Sequence, residues 1–89
     1  MSTDVFDLDA RWRLHPQVAV RPERFGALLY HFGTRRLSFV KTPELLNVLQ
    51  LLDTHSSARA ACAAAGIESG RIPAYEKALA TLANSSMIC

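Results

Sequence analysis

Cysteine is scarce in this chain, which has only Cys62 and Cys89 among 89 residues. Two thiols without a secretory signal predict reduced cysteines in a cytoplasmic protein, not a disulfide framework. Cys62 falls in an alanine-rich stretch and reads as a small buried hydrophobe. Neither cysteine stands at metal-ligand spacing from a histidine or from the other. Charge of one sign is also scarce: ten basic residues against eight acidic ones leave a net charge of +2. A field that weak does not call for nucleic acid or anionic lipid as the partner. No apolar run approaches the roughly 20 residues that cross a bilayer. The opening MSTDVFDLDARWRLHP has no apolar stretch of the kind that marks a signal peptide.

The side chains that usually carry chemistry are dispersed. His15, His31 and His55 lie in separate segments, without an acid or cysteine at the spacing of a metal motif. Each reads as a surface or partly buried histidine. Asp4, Asp7 and Asp9 form a loose cluster that lacks the glycine and closing glutamate of a calcium loop, and it reads as a solvated tail. There is no phosphate-binding loop and no nucleophile elbow. The expectation is a protein that is not an enzyme, with no catalytic residue, metal or cofactor.

What is present is a hydrophobic content of 49%, enough for one folded domain with one core. Up to Val40 the pattern is that of strands, and from Thr42 it is helical. A block of strands followed by a block of helices predicts an α+β domain with an antiparallel sheet. The clearest local element is a hairpin over Gly26 to Val40, with Gly33-Thr34 as a two-residue II′ turn. That turn pairs Phe32 with Arg35, Tyr30 with Leu37 and Leu28 with Phe39; a longer turn around Phe32 to Arg35 is the alternative, and it is expected to change the pairing. Alternation then puts Leu28, Tyr30, Leu37 and Phe39 on one face, read here as a core layer. Ala27, Leu29, His31, Arg36, Ser38 and Val40 fall on the other face, read as a mixed surface. Gln17 to Arg21, bracketed by Pro16 and Pro22, is a third short strand.

Thr42-Pro43-Glu44 has the composition of a helix start, and Leu45, Val48, Leu49 and Leu52 follow at helical spacing. Asp53 and Thr54 end that helix. Ser56 or Ser57 can cap a second helix reaching Ala65, with Gly66 as its stop. A third runs from near Pro73 to about Asn84, with Tyr75, Ala78, Leu79 and Leu82 on one face. Met87 and Ile88 are expected to fold back as a closing apolar contact.

The feature with a functional consequence is the strand Arg35 to Val40. In a three-stranded meander it has one neighbour, and edge strands recruit other strands unless blocked. An extended peptide can add there as a fourth strand, with main-chain hydrogen bonds for affinity and side-chain pockets for choice. The third helix, through Tyr75, Leu79 or Leu82, supplies the other wall of a groove. Phe39 and Leu79 are its candidate apolar contacts, and Arg35 and Arg36 can pair with acids in the guest. Replacing Ser38 by proline tests whether its amide faces the peptide. Two other readings stand beside this one. Two short helices beside a hairpin tipped by Arg35 and Arg36 look like a winged-helix DNA-binding regulator. The third helix, however, offers DNA only Glu76, Lys77, Thr81 and Asn84, one cation offset by one acid. The same edge can also serve a homodimer.

The three strands, the helix opened by TPELL, the alanine-rich helix and the closing LATLANSSMI together resemble the PqqD-like family. These are precursor-peptide recognition domains of ribosomally made, modified peptides, with a winged-helix-like arrangement of three strands and three helices. The stretch WRLHPQVAVRPERFGALLYHFGTRRLSFVKTPELL, Trp12 to Leu46, is similar to the branch of that family acting in mycofactocin biosynthesis. The resemblance implies residues 1–16 as an N-terminal arm and 17–89 as the recognition domain. It implies as partners a mycofactocin precursor peptide and a radical S-adenosylmethionine maturase, which itself carries the iron–sulfur clusters. Carried over by position, the peptide site is Arg35, Arg36, Leu37, Ser38, Phe39 and Val40 with Tyr75, Ala78, Leu79 and Leu82. Two departures stand out. Related domains commonly have Leu-Asn where this chain has Phe39-Val40, and often a glycine where it has Ser86.

Overall fold

The structure is a computed structural model that describes residues 6–89. Three antiparallel strands come first: β1 (Val18–Glu23), β2 (Gly26–His31) and β3 (Arg36–Val40), side by side in that order. Three helices follow: α1 (Pro43–Leu51), α2 (Ala58–Ala64) and α3 (Ile72–Asn84). The α+β arrangement expected from the sequence is therefore the one observed.

The hairpin has the expected register, with Tyr30 opposite Leu37 and Leu28 opposite Phe39, but a different turn. His31 and Arg36 close a loop of Phe32 to Arg35, in which the Arg35 amide donates to the His31 carbonyl at 2.7 Å. The left-handed residue is Arg35, at φ 61°, and not Gly33. Gly33 is needed for room instead: a Cβ there would lie 2.5 Å from the Gln17 side-chain oxygen and 2.9 Å from the His31 ring. A two-residue and a four-residue loop centred on the same bond give one register, so the pairing is right although the turn is not.

The faces of the sheet are the reverse of the expectation. Ala27, Leu29 and Val40 are fully buried and His31 nearly so, whereas Leu37 and Phe39 are 57% and 62% exposed. Helices α1 to α3 pack on the face of Ala27, Leu29 and Val40, joined there by the half-buried Val18 and Val20. Both faces carry apolar residues, so alternation alone does not say which one the helices cover. Gly26 marks how closely the sheet meets the chain leading to α1, since a Cβ there would lie 2.1 Å from the Val40 carbonyl oxygen.

The helices begin as their sequences dictate. The Thr42 hydroxyl accepts from the Leu45 amide at 3.1 Å with proline in the first turn, and Ser57 accepts from the Ala60 amide at 3.0 Å. Gly66, at φ 83°, carries the chain past α2. Met87 and Ile88 fold back into the core as expected. The segment leading into β1 runs alongside that tail: Arg13 and Cys89 exchange both backbone hydrogen bonds, and Leu14 bridges Ile88. Phe6 and Leu8 are buried, and the Phe6 and Trp12 ring centroids lie 4.8 Å apart. Asp9 is not solitary, because the Arg59 guanidinium at 2.7 Å holds its carboxyl below the usual carboxylate range. Asp4 lies outside the described residues.

Candidate functional site

β2 bonds to β1 through its even-numbered residues, as the Phe32 amide donating to the Gln17 carbonyl at 2.9 Å shows for this register. Antiparallel strands alternate bonding sides, so Ala27, Leu29 and His31 bond toward β3, to Val40, Ser38 and Arg36. The backbone groups of Leu37 and Phe39 consequently point outward. Among the described residues no strand pairs with that side of β3. The open edge expected from the sequence is there, but its donors belong to Leu37 and Phe39. The Ser38 amide is committed to β2, so a proline at Ser38 would break the sheet and not the guest contact.

Beside the edge lies a groove of about 440 Å³, between the end of β3, the start of α1 and one flank of α3. Phe39, Leu45, Tyr75, Ala78 and Leu82 give it an apolar lining, while Lys41 and Arg71 bring positive charge. Arg71 stands over the Tyr75 ring, 5.4 Å from its centroid, and donates to the Tyr75 hydroxyl at 3.2 Å. That pairing holds one wall in place. The space exists because α3 presents Ala74 and Ala78 here, side chains too short to reach across.

The ten residues expected at the site therefore separate into three sets. Phe39, Tyr75, Ala78 and Leu82 line the groove. Leu37 and Ser38 belong to the edge strand, one with its backbone free and one paired inward, and Arg35 and Arg36 stand exposed where that strand begins. Val40 and Leu79 are fully buried in the core, so Leu79 packs under the groove and not along it. Lys41, Thr42, Leu45, Arg71, Ala74 and Thr81 complete the lining. Sequence reasoning did not assign them to the site, although Arg71 and Ala74 each sit four positions before Tyr75 and Ala78 and share their helical flank. His15 and His31, read as isolated, lie in tilted ring contact with centroids 4.4 Å apart. Among the described residues no group of three or more histidine, cysteine or acidic side chains can hold a metal ion. No helix of those residues is long and apolar enough to cross a membrane.

The fold leaves one sheet edge unpaired among the described residues, beside an apolar groove. Residues 11–89 match the family model of the peptide chaperone MftB family, and the chain belongs to that family. It is 55% identical over 83 residues to proteins named peptide chaperone MftB from Mycobacterium ulcerans (strain Agy99) and Mycobacterium tuberculosis (strain ATCC 25618 / H37Rv). Each of those matches spans 93% of this chain and 76% of the relative. A protein of the same name from Mycolicibacterium smegmatis (strain ATCC 700084 / mc(2)155) is 52% identical over 93 residues, 99% of this chain and 91% of the relative. Chaperones of this kind are not enzymes. No solved structure gives a significant match.

Proposed function

We propose that the chain captures the leader of a mycofactocin precursor peptide as a fourth strand on β3 and presents it to a radical S-adenosylmethionine maturase. The observation that carries this reading is the outward-facing backbone of Leu37 and Phe39, lying beside an apolar groove that α3 walls. Strand addition supplies main-chain hydrogen bonds, and the groove selects alternate side chains of the guest. Lys41 and Arg71, with Arg35 and Arg36 further along, favour a leader that carries acids. These cations are solvent-exposed, so they contribute modestly and in a salt-sensitive way. The chemistry belongs to the maturase. The chaperone acts by tethering, which raises the local concentration of the peptide's reactive end.

Titration of the labelled protein with synthetic leader, followed by amide shifts, tests this reading. The largest shifts are expected at Leu37, Phe39 and the groove side of α3. Leu37→Pro removes one outward donor without touching the β2 ladder, and it should weaken leader binding about tenfold in a folded protein, roughly the worth of one net hydrogen bond. Binding of wild-type strength by folded Leu37→Pro, with no shifts along β3, would overturn the placement.

A further inference from the structure

The sheet face opposite the helices is apolar and uncovered among the described residues. Phe25, Phe32, Leu37 and Phe39 are the exposed large hydrophobic residues there, at 43%, 60%, 57% and 62%. All four fall on this hairpin and its approach. Phe25 lies 6.1 Å from Phe39, and Phe32 makes an edge-to-face contact with Tyr30 at 5.1 Å. The cross-strand pairs of Leu28 with Phe39 and Tyr30 with Leu37 complete one continuous surface. Scattered exposed hydrophobes need no explanation, but a contiguous patch marks an interaction surface. This face adjoins the peptide edge along Leu37 and Phe39, whose backbones form that edge, and of the patch only Phe39 also lines the groove.

Charge and size select the occupant. Arg21 lies opposite Leu28 on β1, Arg24 precedes Phe25, and Arg35 ends the Phe32 loop; all are exposed. The acid among them is Glu23, already paired with Arg21 at 3.1 Å. A second copy laid on this face would bring two such cationic rims together. Three strands in width and about six residues in length give roughly 200–300 Å² of flat sheet, well under the ~800 Å² per partner of a stable dimer. The aromatic rings also lie against one another across the sheet instead of projecting from one tip, which suits a packed protein surface better than a bilayer.

We infer that this outer face is a docking surface for the peptide-modifying enzyme, meeting an apolar patch on it that is bordered by carboxylates. The inference rests on the proposed chaperone role. The contact is small and transient, as delivery requires, and its position lets the enzyme sit on the sheet while the peptide lies along the adjoining edge.

The test uses two substitutions far from the groove, Phe32→Ser and Arg21→Glu, each alone and together. Affinity for the purified, cluster-loaded maturase is measured by calorimetry with and without leader, and leader affinity is measured separately. The double variant should bind the enzyme at least tenfold more weakly while its leader affinity and melting temperature stay within error of wild type. Undiminished enzyme binding overturns the docking surface. So does a patch whose amides respond to protein concentration or to anionic phospholipid vesicles but not to the enzyme. Failure of wild-type protein to bind leader, with enzyme binding still sensitive to Phe32→Ser, overturns the chaperone reading and leaves the docking face standing.

Discussion

His31 is the buried polar side chain among the described residues, only 3% exposed. Its Nδ1 accepts from the amides of Gly33 at 3.0 Å and Thr34 at 3.1 Å. An Nδ1 that accepts must carry its lone pair, so the neutral ring holds its proton on Nε2. This one side chain satisfies two amides of the loop that sets the hairpin, and the His15 ring lies tilted against it. Removing it in His31→Ala orphans both donors and should cost about 1–3 kcal/mol of stability, read by urea denaturation. His31→Asn, which restores an acceptor at similar reach, should recover part of that loss. Ser86 poses a different residue-scale problem. It sits at φ 62° just before the buried Met87, a conformation that costs an L-residue roughly 1–2 kcal/mol and glycine little. Glycine also gains entropy in the unfolded chain, which offsets part of the relief. Ser86→Gly should therefore raise the urea midpoint by an amount equivalent to about 0.5–1 kcal/mol. A glycine in place of Ser86 would have a conformational reason here.

At the scale of elements, the hairpin shows what the sequence makes legible and what it leaves ambiguous. Its register could be read because any turn centred on Gly33-Thr34 gives the same pairs. Its faces are ambiguous in sequence, because bulk alone favours Leu28, Tyr30, Leu37 and Phe39 for the core. The helices instead cover the smaller set of Ala27, Leu29 and Val40, and the large residues form an outer surface of their own. A rule that sends bulk inward fails where a second face is built for contact. The edge was legible, since strand order follows from short connections. Which amides face outward was not, because the turn sets the bonding phase: a two-residue turn points Ser38 outward, whereas the loop closed by His31 and Arg36 points Leu37 and Phe39 outward. In α3 the apolar stripe was legible, but the groove depends on Ala74 and Ala78 being small, and absent volume leaves no hydrophobic signal. Leu37→Pro and Ser38→Pro separate the two bonding phases. The first should fold and bind leader about tenfold more weakly, whereas the second should lose cooperative unfolding, because it removes a ladder bond between β2 and β3.

At the scale of the molecule, the ends of the described chain are tied into one core. Phe6 and Leu8 are buried beside the helices, the Arg59 amide donates to the Leu8 carbonyl at 2.9 Å, and the Arg13–Cys89 pair fastens the closing tail. Leu8→Ala, deep in this contact, should cost about 2–4 kcal/mol. The two thiols provide the measurement. Cys89 is exposed, while Cys62 lies on the buried face of α2, and burial pushes its thiol above the ordinary cysteine range. A thiol-specific reagent added to native protein should therefore label Cys89 at once. Cys62 should react only through opening of the core, at a rate that follows stability when reclosing is fast. A loss of ~3 kcal/mol then speeds Cys62 labelling about 100-fold and leaves Cys89 unchanged. Local fraying of the N-terminal segment predicts the opposite pattern: Trp12 fluorescence, which reports its contact with Phe6, would change in Leu8→Ala while Cys62 stayed protected. Parallel change of the two signals is the result expected of a core in which the segment before β1 and the helices unfold together.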